Sequence, residues 1–262
     1  MIRGLYIGAS GMVATQQRMD VISNNLSNSN TTGYKEVNIV NKAYPKKDLV
    51  RTDDNLQDLP RGTIDKRPPI GSLNTGVASD GTYTNFRQGQ LRGTENPFDL
   101  ALEGEGFFVV ERENGQEAYT RDGSLTVSSN NELVTTRGHR VLGQEGPITI
   151  PPNMERISVT GRGQIVDQDN NILGNLRVAQ FENPMKLEQL GRNMFSQGEA
   201  NNLIDNPQNY KIHQGQLERS NVNAIQQMIN MIEVNRHHEV QSKVIKQQNK
   251  LLGQAISKVG RA

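Results

Sequence analysis

Residues 24–35 read NNLSNSNTTGYK, a stretch with four asparagines and no acidic, histidine or cysteine side chain. No side chain in it titrates near neutral pH, which makes acid–base catalysis a poor explanation. Short amide and hydroxyl side chains instead hydrogen-bond nearby backbone groups, and asparagine tolerates left-handed backbone conformations. Because an apolar pattern precedes it, the stretch predicts the end of a helix followed by a defined loop.

The composition limits the kinds of protein that this chain can be. It has 262 residues, enough for one or two domains, and only 34% of them are hydrophobic. Aromatic residues make up 5% and the mean hydropathy is −0.66, so we expect no large continuous core. The net charge of +1 gives no overall attraction to nucleic acid or to an anionic membrane. The absence of cysteine excludes disulfides and thiol chemistry.

The segment before the loop predicts an amphipathic helix over residues 2–26. Four apolar residues recur there at a spacing of seven, which forms a single stripe of coiled-coil width. They are Leu5, Met12, Met19 and Leu26. Gly4, Gly8 and Gly11 dilute the apolar pattern, so we interpret the segment as structural, and neither as a cleaved signal peptide nor as a membrane span.

The far end of the chain predicts a second helix, over residues 218–259. Its apolar residues again follow one stripe, and Ser220 stands where an N-cap is expected. The stripe residues that carry this prediction are Val222, Ile225, Ile229, Ile232, Val240 and Val244. At about 1.5 Å per residue such a helix is longer than a small domain is wide, so its stripe needs burial against another helix.

Between the helices the sequence predicts β structure. Residues 96–182 alternate apolar and polar positions in short runs separated by glycine-containing turn pairs, which is typical of antiparallel strands. Residues 36–95 predict extended or irregular chain with short strands, and residues 183–217 predict an irregular return segment. The predicted fold class is therefore α+β. Residues 1–35, with the first helix and the Asn-rich junction, and residues 218–262, with the second helix, complete the five predicted parts.

The two terminal helices are expected to pair with each other, since no other helix is evident between them. Two narrow stripes make a thin, coiled-coil-like layer and leave apolar flanks exposed, and such flanks usually signal association. Contacts that repeat head to tail between copies generate rings or helical filaments. The pattern therefore favours a structural protein that assembles with itself.

The signals for catalytic and metal sites are weak. His237 and His238 are adjacent on a predicted helix, where they point about 100° apart and do not form a chelating pair. The acidic residues between Asp99 and Glu111 are interrupted by glycines, and aromatic residues that would stack on sugars are scarce. We therefore predict no enzyme activity, no cofactor and no metal ion.

Both ends of the chain resemble the bacterial flagellar rod and hook family. In that family an N-terminal helix leads into an Asn-Asn-Leu junction that closes with Thr-x-Gly-(Phe/Tyr)-Lys. This chain matches the junction at Asn24, Asn25, Leu26, Asn28, Asn30, Thr31, Gly33, Tyr34 and Lys35. The segment LERSNVNAIQQMINMIEVNRHHEVQSKVI, residues 217–245, resembles the family's C-terminal signature, and LEGEGFFVV, residues 102–110, resembles its β domain.

The resemblance implies an axial structural subunit of the flagellar basal body, most similar to the distal-rod members of the family or to a close rod paralogue. Such subunits leave the cell through the flagellar type III export apparatus without cleavage of a signal. They polymerise into a helical tube that transmits torque and walls the export channel, with the paired helices innermost. The implied partners are further copies of the chain, other axial rod and hook proteins and the export apparatus, with no nucleic acid and no membrane insertion. Gly33 would supply a junction turn that a side chain would block.

Two interpretations of a different class compete with this one. A secreted β-domain adhesin or binding module would close its helices into a small bundle, and would be monodisperse with fully helical termini. A carbohydrate-active enzyme would show hydrolase activity that depends on the acidic residues between Asp99 and Glu111.

Overall fold

The computed structural model gives the chain an α+β fold in two compact units. It describes residues 2–44, 46–51, 56–59, 62–65, 69–152, 154, 157–198, 202–205, 207 and 209–260. The first of the two units, which we call the helical unit, comprises Met1–Asn24, Asn38–Tyr83 and Ile225–Ala262. The second, which we call the β unit, comprises Asn25–Val37 and Thr84–Ala224. The two ends of the chain therefore belong to the same unit.

The helical unit is dominated by two long helices. The helix predicted over residues 2–26 is α1, Ile2–Ser27. The second helix, α2, spans Ala224–Val259 and begins later than predicted. The prediction that Ser220 caps it is wrong, because the Ser220 hydroxyl accepts a hydrogen bond from the backbone N–H of Val222 (3.2 Å), ahead of the helix.

Paired strands fill the part of the chain between α1 and residue 84. They are β1 (Val37–Ala43), β2 (Lys47–Val50), β3 (Leu56–Leu59), β4 (Gly62–Asp65), β5 (Pro69–Leu73) and β6 (Val77–Thr84). The pairs are nested, β1 with β6, β2 with β5 and β3 with β4. Every side chain of β2 and β5 is exposed, so these two strands are held by backbone hydrogen bonds and contribute little to a core.

The remaining strands belong to the β unit. They are β7 (Leu91–Gly93), β8 (Leu100–Gly104), β9 (Phe107–Glu111), β10 (Glu117–Thr120), β11 (Leu125–Val127), β12 (Leu133–Thr135), β13 (Arg140–Gly143), β14 (Gly146–Pro147), β15 (Ser158–Val159), β16 (Gln164–Val166), β17 (Ile172–Asn175), β18 (Val178–Phe181), β19 (Glu188–Gly191), β20 (Met194–Ser196), β21 (Leu203–Asp205), β22 (Tyr210–Gln214) and β23 (Gln216–Glu218). A short 3₁₀ turn, Pro184–Lys186, joins β18 to β19.

The largest sheet runs in the order β11-β12-β13-β9-β10-β20-β19, with β14 attached to β13, β18 to β9 and β21 to β18. Smaller sheets are formed by β15-β16-β17, by β22 with β8 and by β23 with β7. All the described pairings in this unit are antiparallel. This agrees with the antiparallel arrangement that the turn pairs predict.

Strand β9 separates two hydrophobic cores. Side chains alternate between the two faces of a strand, so Phe108 and Val110 pack into one core while Phe107 and Val109 pack into the other. All four are at most 3% exposed, which explains why this strand reads as a continuous apolar run. The β unit therefore has two modest cores, consistent with the low hydrophobic content.

The return segment, residues 183–217, differs from its prediction. We predicted irregular chain, whereas β19 to β23 lie almost wholly within it and extend the sheets of the β unit. Strand β22 pairs with β8 over five residues, from Tyr210 opposite Gly104 to Gln214 opposite Leu100. Its partner lies about a hundred residues earlier, and only one side chain of β22 is buried, so the local pattern carries a weak strand signal.

Candidate functional site at the Asn-rich junction

Asn25 ties the end of α1 to the start of β1. Its amide nitrogen donates to the backbone oxygen of Val37 (2.8 Å), and its amide oxygen accepts from the backbone N–H of Val37 (3.0 Å). The side chain thus pairs with Val37 as a neighbouring strand would, and it is only 1% exposed. Replacing it with a side chain that lacks an amide would leave buried backbone groups without partners.

Tyr34 adds a third hydrogen bond to the same amide. Its hydroxyl donates to Oδ1 of Asn25 (3.0 Å), and the tyrosine side chain is buried. Burial, together with the negative charge of Glu36, raises the pKa of Tyr34 to about 12. The hydroxyl is therefore protonated at any physiological pH and acts as a fixed donor.

Gly33 occupies a position that only glycine fits. Its φ of 65° lies in the left-handed region, and a Cβ placed there would lie 2.4 Å from the backbone nitrogen of Asp122. The obstruction is main chain, which cannot move aside as a flexible side chain can. The backbone N–H of Gly33 also donates to the carbonyl of Glu218 (2.9 Å), so the turn is fixed on both sides.

Lys35, two residues after Gly33, forms an ion pair with Glu218 that is buried from solvent. Nζ of Lys35 lies 2.6 Å from Oε1 of Glu218, and the two side chains are 1% and 0% exposed. The Lys35 ammonium also donates to the carbonyl of Arg87 (2.9 Å), and the backbone N–H of Gly89 donates to Oε1 of Glu218 (2.8 Å). Burial lowers the pKa of Lys35, the charge of Glu218 opposes this effect, and the charge of Arg121 adds to it.

Arg121 is the second cation of this cluster. Its NH1 lies 3.5 Å from Oε2 of Glu218 and donates to the carbonyl of Leu102 (3.1 Å), while NH2 donates to the carbonyl of Gly104 (2.7 Å). Its guanidinium carbon lies 5.3 Å from the centre of the Phe107 ring, which is close enough for a cation–π contact. Two cations thus share one carboxylate, and Glu218 is the residue on which both depend.

The other predicted junction residues surround this centre. Asn28 accepts a hydrogen bond from the Thr31 hydroxyl (3.1 Å), and its carbonyl accepts from the Thr31 backbone N–H (3.1 Å). Asn30 is exposed and accepts from NH2 of Arg219 (3.4 Å). Asn24 is exposed and is the last residue of the first segment of the helical unit. The stretch therefore satisfies its own turn and the neighbouring backbone, as its composition predicts.

Several residues of the site lie outside the predicted set. Asn221 accepts from the Glu36 backbone N–H (2.8 Å) and donates to the carbonyls of Asn85 and Arg87 (2.8 and 2.9 Å). The amide of Asn193 donates to the carbonyl of Thr32 (2.9 Å). Glu218 and Arg121 were also missed as site residues. Their partners lie far away in sequence, and a single charged residue beside an apolar one, such as Glu218 after Leu217, is the one local signal.

The other predicted residues are those of the apolar stripes on α1 and α2, in the helical unit. The two helices meet along a seam of mostly small and polar residues. The seam consists of Gly4, Gly8, Gly11 and Thr15 on α1 and of Gln241, Ile245 and Gln248 on α2. A Cβ on Gly8 would lie 2.9 Å from Cγ1 of Ile245, and the Thr15 hydroxyl donates to Oε1 of Gln241 (3.1 Å). Residue numbers rise on one helix as they fall on the other, so the helices run antiparallel.

The predicted apolar stripe of α2 lies largely on another side of that helix from the seam. On α1, Leu5, Met12, Met19 and Leu26 are half-buried. On α2, the exposed fractions are 68% for Ile225, 52% for Ile229, 54% for Ile232, 57% for Val240 and 48% for Val244. The expectation that α1 covers the stripe of α2 is therefore wrong for the single chain. At 100° per residue, Ile229 and Ile245 are about 160° apart around the helix, and Ile245 is the one that faces α1. Val222, just ahead of α2, is buried.

The acidic residues between Asp99 and Glu111 have structural partners. Glu103 contacts Nε2 of His213 (2.5 Å), Glu105 accepts from Gln180, Glu111 lies 3.6 Å from Arg140, and Asp99 accepts from Asn96. The histidine pair in α2 is solvated, with His237 3.7 Å from Glu233. Within the described residues, no group of three or more His, Asp or Glu is placed to hold a metal ion. None of the described helices is long and apolar enough to cross a membrane.

Three models of flagellar families match this chain, and together they span its two ends and its centre. The model described as flagella basal body rod protein matches residues 5–35, which contain α1 and the junction. The model of the flagellar hook protein FlgE/F/G D1 domain matches residues 101–166 of the β unit. The model of the flagellar basal body rod FlgEFG protein C-terminal region matches residues 213–258. The matched segments are those of axial proteins of the flagellum.

Full-length relatives lead to the same class. The chain is 34% identical to the flagellar basal-body rod protein FlgG of Borreliella burgdorferi, over 97% of each chain. It is 32% identical to the flagellar basal-body rod protein FlgF of Caulobacter vibrioides, over 100% of this chain and 99% of the relative. It is 31% identical to the flagellar hook-basal body complex protein FlhP of Bacillus subtilis, over 97% and 98%. This chain belongs to the flagellar basal-body rod and hook family.

Proposed function

We propose that the protein is a structural subunit of the bacterial flagellar basal-body rod, and that many copies assemble into a helical tube. Membership of the rod and hook family supports the rod assignment. The observation that carries the assembly is the apolar stripe of α2, which the single chain leaves exposed. Exposed apolar surface of this extent on a soluble chain marks an interaction site. The function is structural, as in the relatives named above.

The proposed occupant of the stripe is another copy of the same chain. Its residues Ile225, Ile229, Ile232, Val240 and Val244 are followed by Leu251, which is 58% exposed. A row that runs along most of a 36-residue helix is continuous enough to pack against further helices. Because the seam with α1 uses another side of α2, a copy can bind the stripe without breaking the contact with α1. Identical contacts between successive copies then extend into a helical polymer.

The junction has a different part in this proposal. It ties Asn25, near the end of α1, and Glu218, in the segment ahead of α2, into one buried network inside the β unit. A β unit that folds the same way in every copy is what a regular polymer requires. We further propose a position similar to distal-rod subunits, contacts with other axial rod and hook proteins, and passage through the flagellar type III export apparatus.

The proposal is tested by replacing apolar side chains of the stripe with polar ones while keeping the fold of the single chain. Ile229, Ile232 and Val240 are each replaced by glutamine, a good helix former that avoids apolar contact. Because all three side chains are exposed, we expect the circular dichroism at 222 nm and the melting temperature to match the wild type. Sedimentation should show loss of polymers, and cells that carry this variant in place of the wild-type protein should lack rods and motility.

A matched control replaces three exposed polar residues of α2 that lie away from the substituted stripe residues. These are Asn235, His237 and Asn249, each changed to glutamine; at 100° per residue each lies 60° or more around the helix from Ile229, Ile232 and Val240. The control should assemble and support motility like the wild type. If the stripe variant assembles and swims as well as this control, the stripe is not the assembly surface and the proposal fails.

A further inference from the structure

A small polar cavity lies in the β unit, apart from the junction cluster and from the apolar stripe. Its volume is about 280 Å³, just below the usual lower bound of roughly 300 Å³ for pockets that enclose drug-sized ligands. It is lined by Arg112, Glu113, Asn114, His139, Leu190, Arg192 and Met194. The cavity therefore has room for a small molecule or for one chemical group of a larger one.

His139 is the unusual residue of this cavity. It is 7% exposed, and neither of its ring nitrogens has a hydrogen-bond partner among the described residues. Buried polar groups of folded proteins nearly always have partners, so two orphaned nitrogens on one side chain need an explanation. Burial lowers the pKa of His139; Glu113 opposes this shift, and Arg192, Arg112 and Arg137 add to it. The ring is therefore neutral at neutral pH and has one N–H to donate.

Two arginines beside this histidine are not used within the described part of the chain. Neither Arg112 nor Arg192 forms an ion pair there, although the carboxylate of Glu113 lines the same cavity. Guanidinium groups present N–H donors in a planar fork that matches the oxygens of carboxylates and phosphates. Two guanidiniums against one carboxylate leave the cavity with a net positive charge.

The backbone holds Arg192 in place at a cost. Its φ of 53° and the φ of 59° at Asn193 put two consecutive non-glycine residues in the left-handed region, in the turn between β19 and β20. Such conformations cost on the order of 1 kcal/mol or more each and persist only where the surroundings require them. The hairpin requires both, since a two-residue turn of type I′ between antiparallel strands takes φ > 0 at both of its central positions, and this turn fixes where Arg192 stands beside the cavity.

We propose that this cavity binds a small oxyanion, a carboxylate or phosphate group, between the guanidiniums of Arg112 and Arg192 with the N–H of His139 as a further donor. The anion neutralises the excess positive charge and gives the orphaned histidine nitrogen a partner. Planar carboxylate and tetrahedral phosphate both accept from two guanidiniums, so the two chemistries are compared directly in the test. The proposal concerns ligand binding by single subunits and is independent of assembly through the stripe.

The test follows the ring of His139 by NMR in the full-length chain, kept below the concentration at which it assembles. Sodium phosphate and sodium acetate are titrated separately at pH 7, against sodium chloride at equal ionic strength. We expect saturable shifts of the His139 ring signals with at least one oxyanion, and none with chloride. Since a nearby anion favours the charged ring, the pKa of His139 should rise by about half a unit or more at saturation.

The variants separate a built site from loose surface binding. Arg112→Gln removes one guanidinium, and Arg192→Asn removes the other while keeping a residue that tolerates the left-handed turn. Together they should weaken the binding about tenfold or more, since each loses a charge-assisted hydrogen bond. Arg162→Gln, at an exposed position elsewhere in the β unit, should leave it unchanged. Shifts that do not saturate, or that survive the double substitution, mean an adventitious ion only and overturn the proposal.

Discussion

Around Glu218, three charged side chains are almost wholly out of solvent, and each is held by partners from the same chain. Along α2, by contrast, a row of isoleucine, valine and leucine side chains lies in solvent, while glycines, glutamines and Ile245 form the contact with α1. The usual distribution, apolar inside and charged outside, is thus reversed in both regions.

The contrast between the charged cluster and the stripe of α2 indicates which of the two regions finds its partners within one chain. A buried charge is tolerated only when it is paired and hydrogen-bonded, and both cations of the cluster are paired with Glu218 and hydrogen-bonded to carbonyls of the same chain, although Nε of Arg121 has no partner among the described residues. Exposed apolar surface is costly only in water, and another copy can remove it from water. The contacts of the junction are therefore made within one chain, whereas the stripe of α2 is covered only in the assembly proposed above. Substitutions should divide accordingly between effects on folding and effects on polymerisation.

The largest expected effect is at Gly33, where a single substitution should unfold the region whose contacts are made within one chain. Gly33→Ala combines a left-handed φ with a Cβ 2.4 Å from the backbone of Asp122, so we expect a loss of about 5 kcal/mol or more and an unfolded β unit. The contacts of the junction lie inside the β unit, so the loss falls on folding. Urea unfolding followed by tyrosine fluorescence measures the effect; a natively stable Gly33→Ala chain contradicts the geometry.

Next come the two ends of the buried ion pair, which should be unequal. Glu218→Gln leaves Lys35 and Arg121 buried without a counter-charge, and we expect it to cost about 3–5 kcal/mol. Lys35→Met leaves one cation with one anion, and so should cost clearly less. Urea midpoints of the two variants give the comparison. Equal losses would mean that Arg121 does not depend on Glu218.

Tyr34 should make the stability of the junction depend on pH. Its pKa is raised to about 12 in the folded chain from about 10, so the neutral form is favoured by folding. This stability is fully present below pH 10 and is lost as pH rises from 10 towards 12, about 2–3 kcal/mol in all. Tyr34→Phe should therefore be about 1 kcal/mol less stable at pH 7, through the lost bond to Asn25, and should overtake the wild type above about pH 11.

Urea unfolding of both proteins at several pH values from 7 to 12 measures that crossing. Every other group that titrates in this range is common to the two chains, so their difference isolates the hydroxyl of Tyr34. A difference that stays constant up to pH 12 would mean that Tyr34 is not buried as described.

The smallest effect is expected in the helices, at two glycines of opposite surroundings. Gly253→Ala places a Cβ where no atom lies within 4 Å, so it should stabilise α2 by up to about 1 kcal/mol through helix propensity alone. Gly8→Ala meets Ile245 at 2.9 Å, and the overpacking should outweigh that gain for a net loss of about 1 kcal/mol. Thermal melts at 222 nm compare the two; equal stabilisation by both would show that the seam does not form.

How far the sequence predicts this molecule depends on the range of the interactions involved. The heptad that begins at Leu5 sets α1, and turn pairs such as Asn114–Gly115 set hairpins, because both patterns are local. The strands in residues 183–217 were missed because their partners lie far away and their side chains are mostly polar. The direction of the stripe on α2 was missed for another reason: apolar residues mark a surface that becomes buried, but not the chain that buries it.

The junction shows the same division at the level of single residues. The composition of the Asn-rich stretch correctly predicts amides that satisfy backbone groups, as Asn25 does for Val37. Nothing local predicts that Lys35 meets Glu218, which lies 183 residues later, or that Arg121 joins them. Such a cluster is specified by the topology of the β unit, which brings β23 and the end of the junction together.

The distance in sequence between Lys35 and Glu218 also constrains the order in which the β unit can fold. If the chain emerges from a narrow passage with its N-terminus first, Lys35 and Arg121 arrive long before the carboxylate that neutralises both. Strands β7 and β8 likewise wait for β23 and β22, since contacts of high sequence separation form last. On that route the β unit could not close until about five-sixths of the chain had emerged, because Glu218 and β23 lie just ahead of α2.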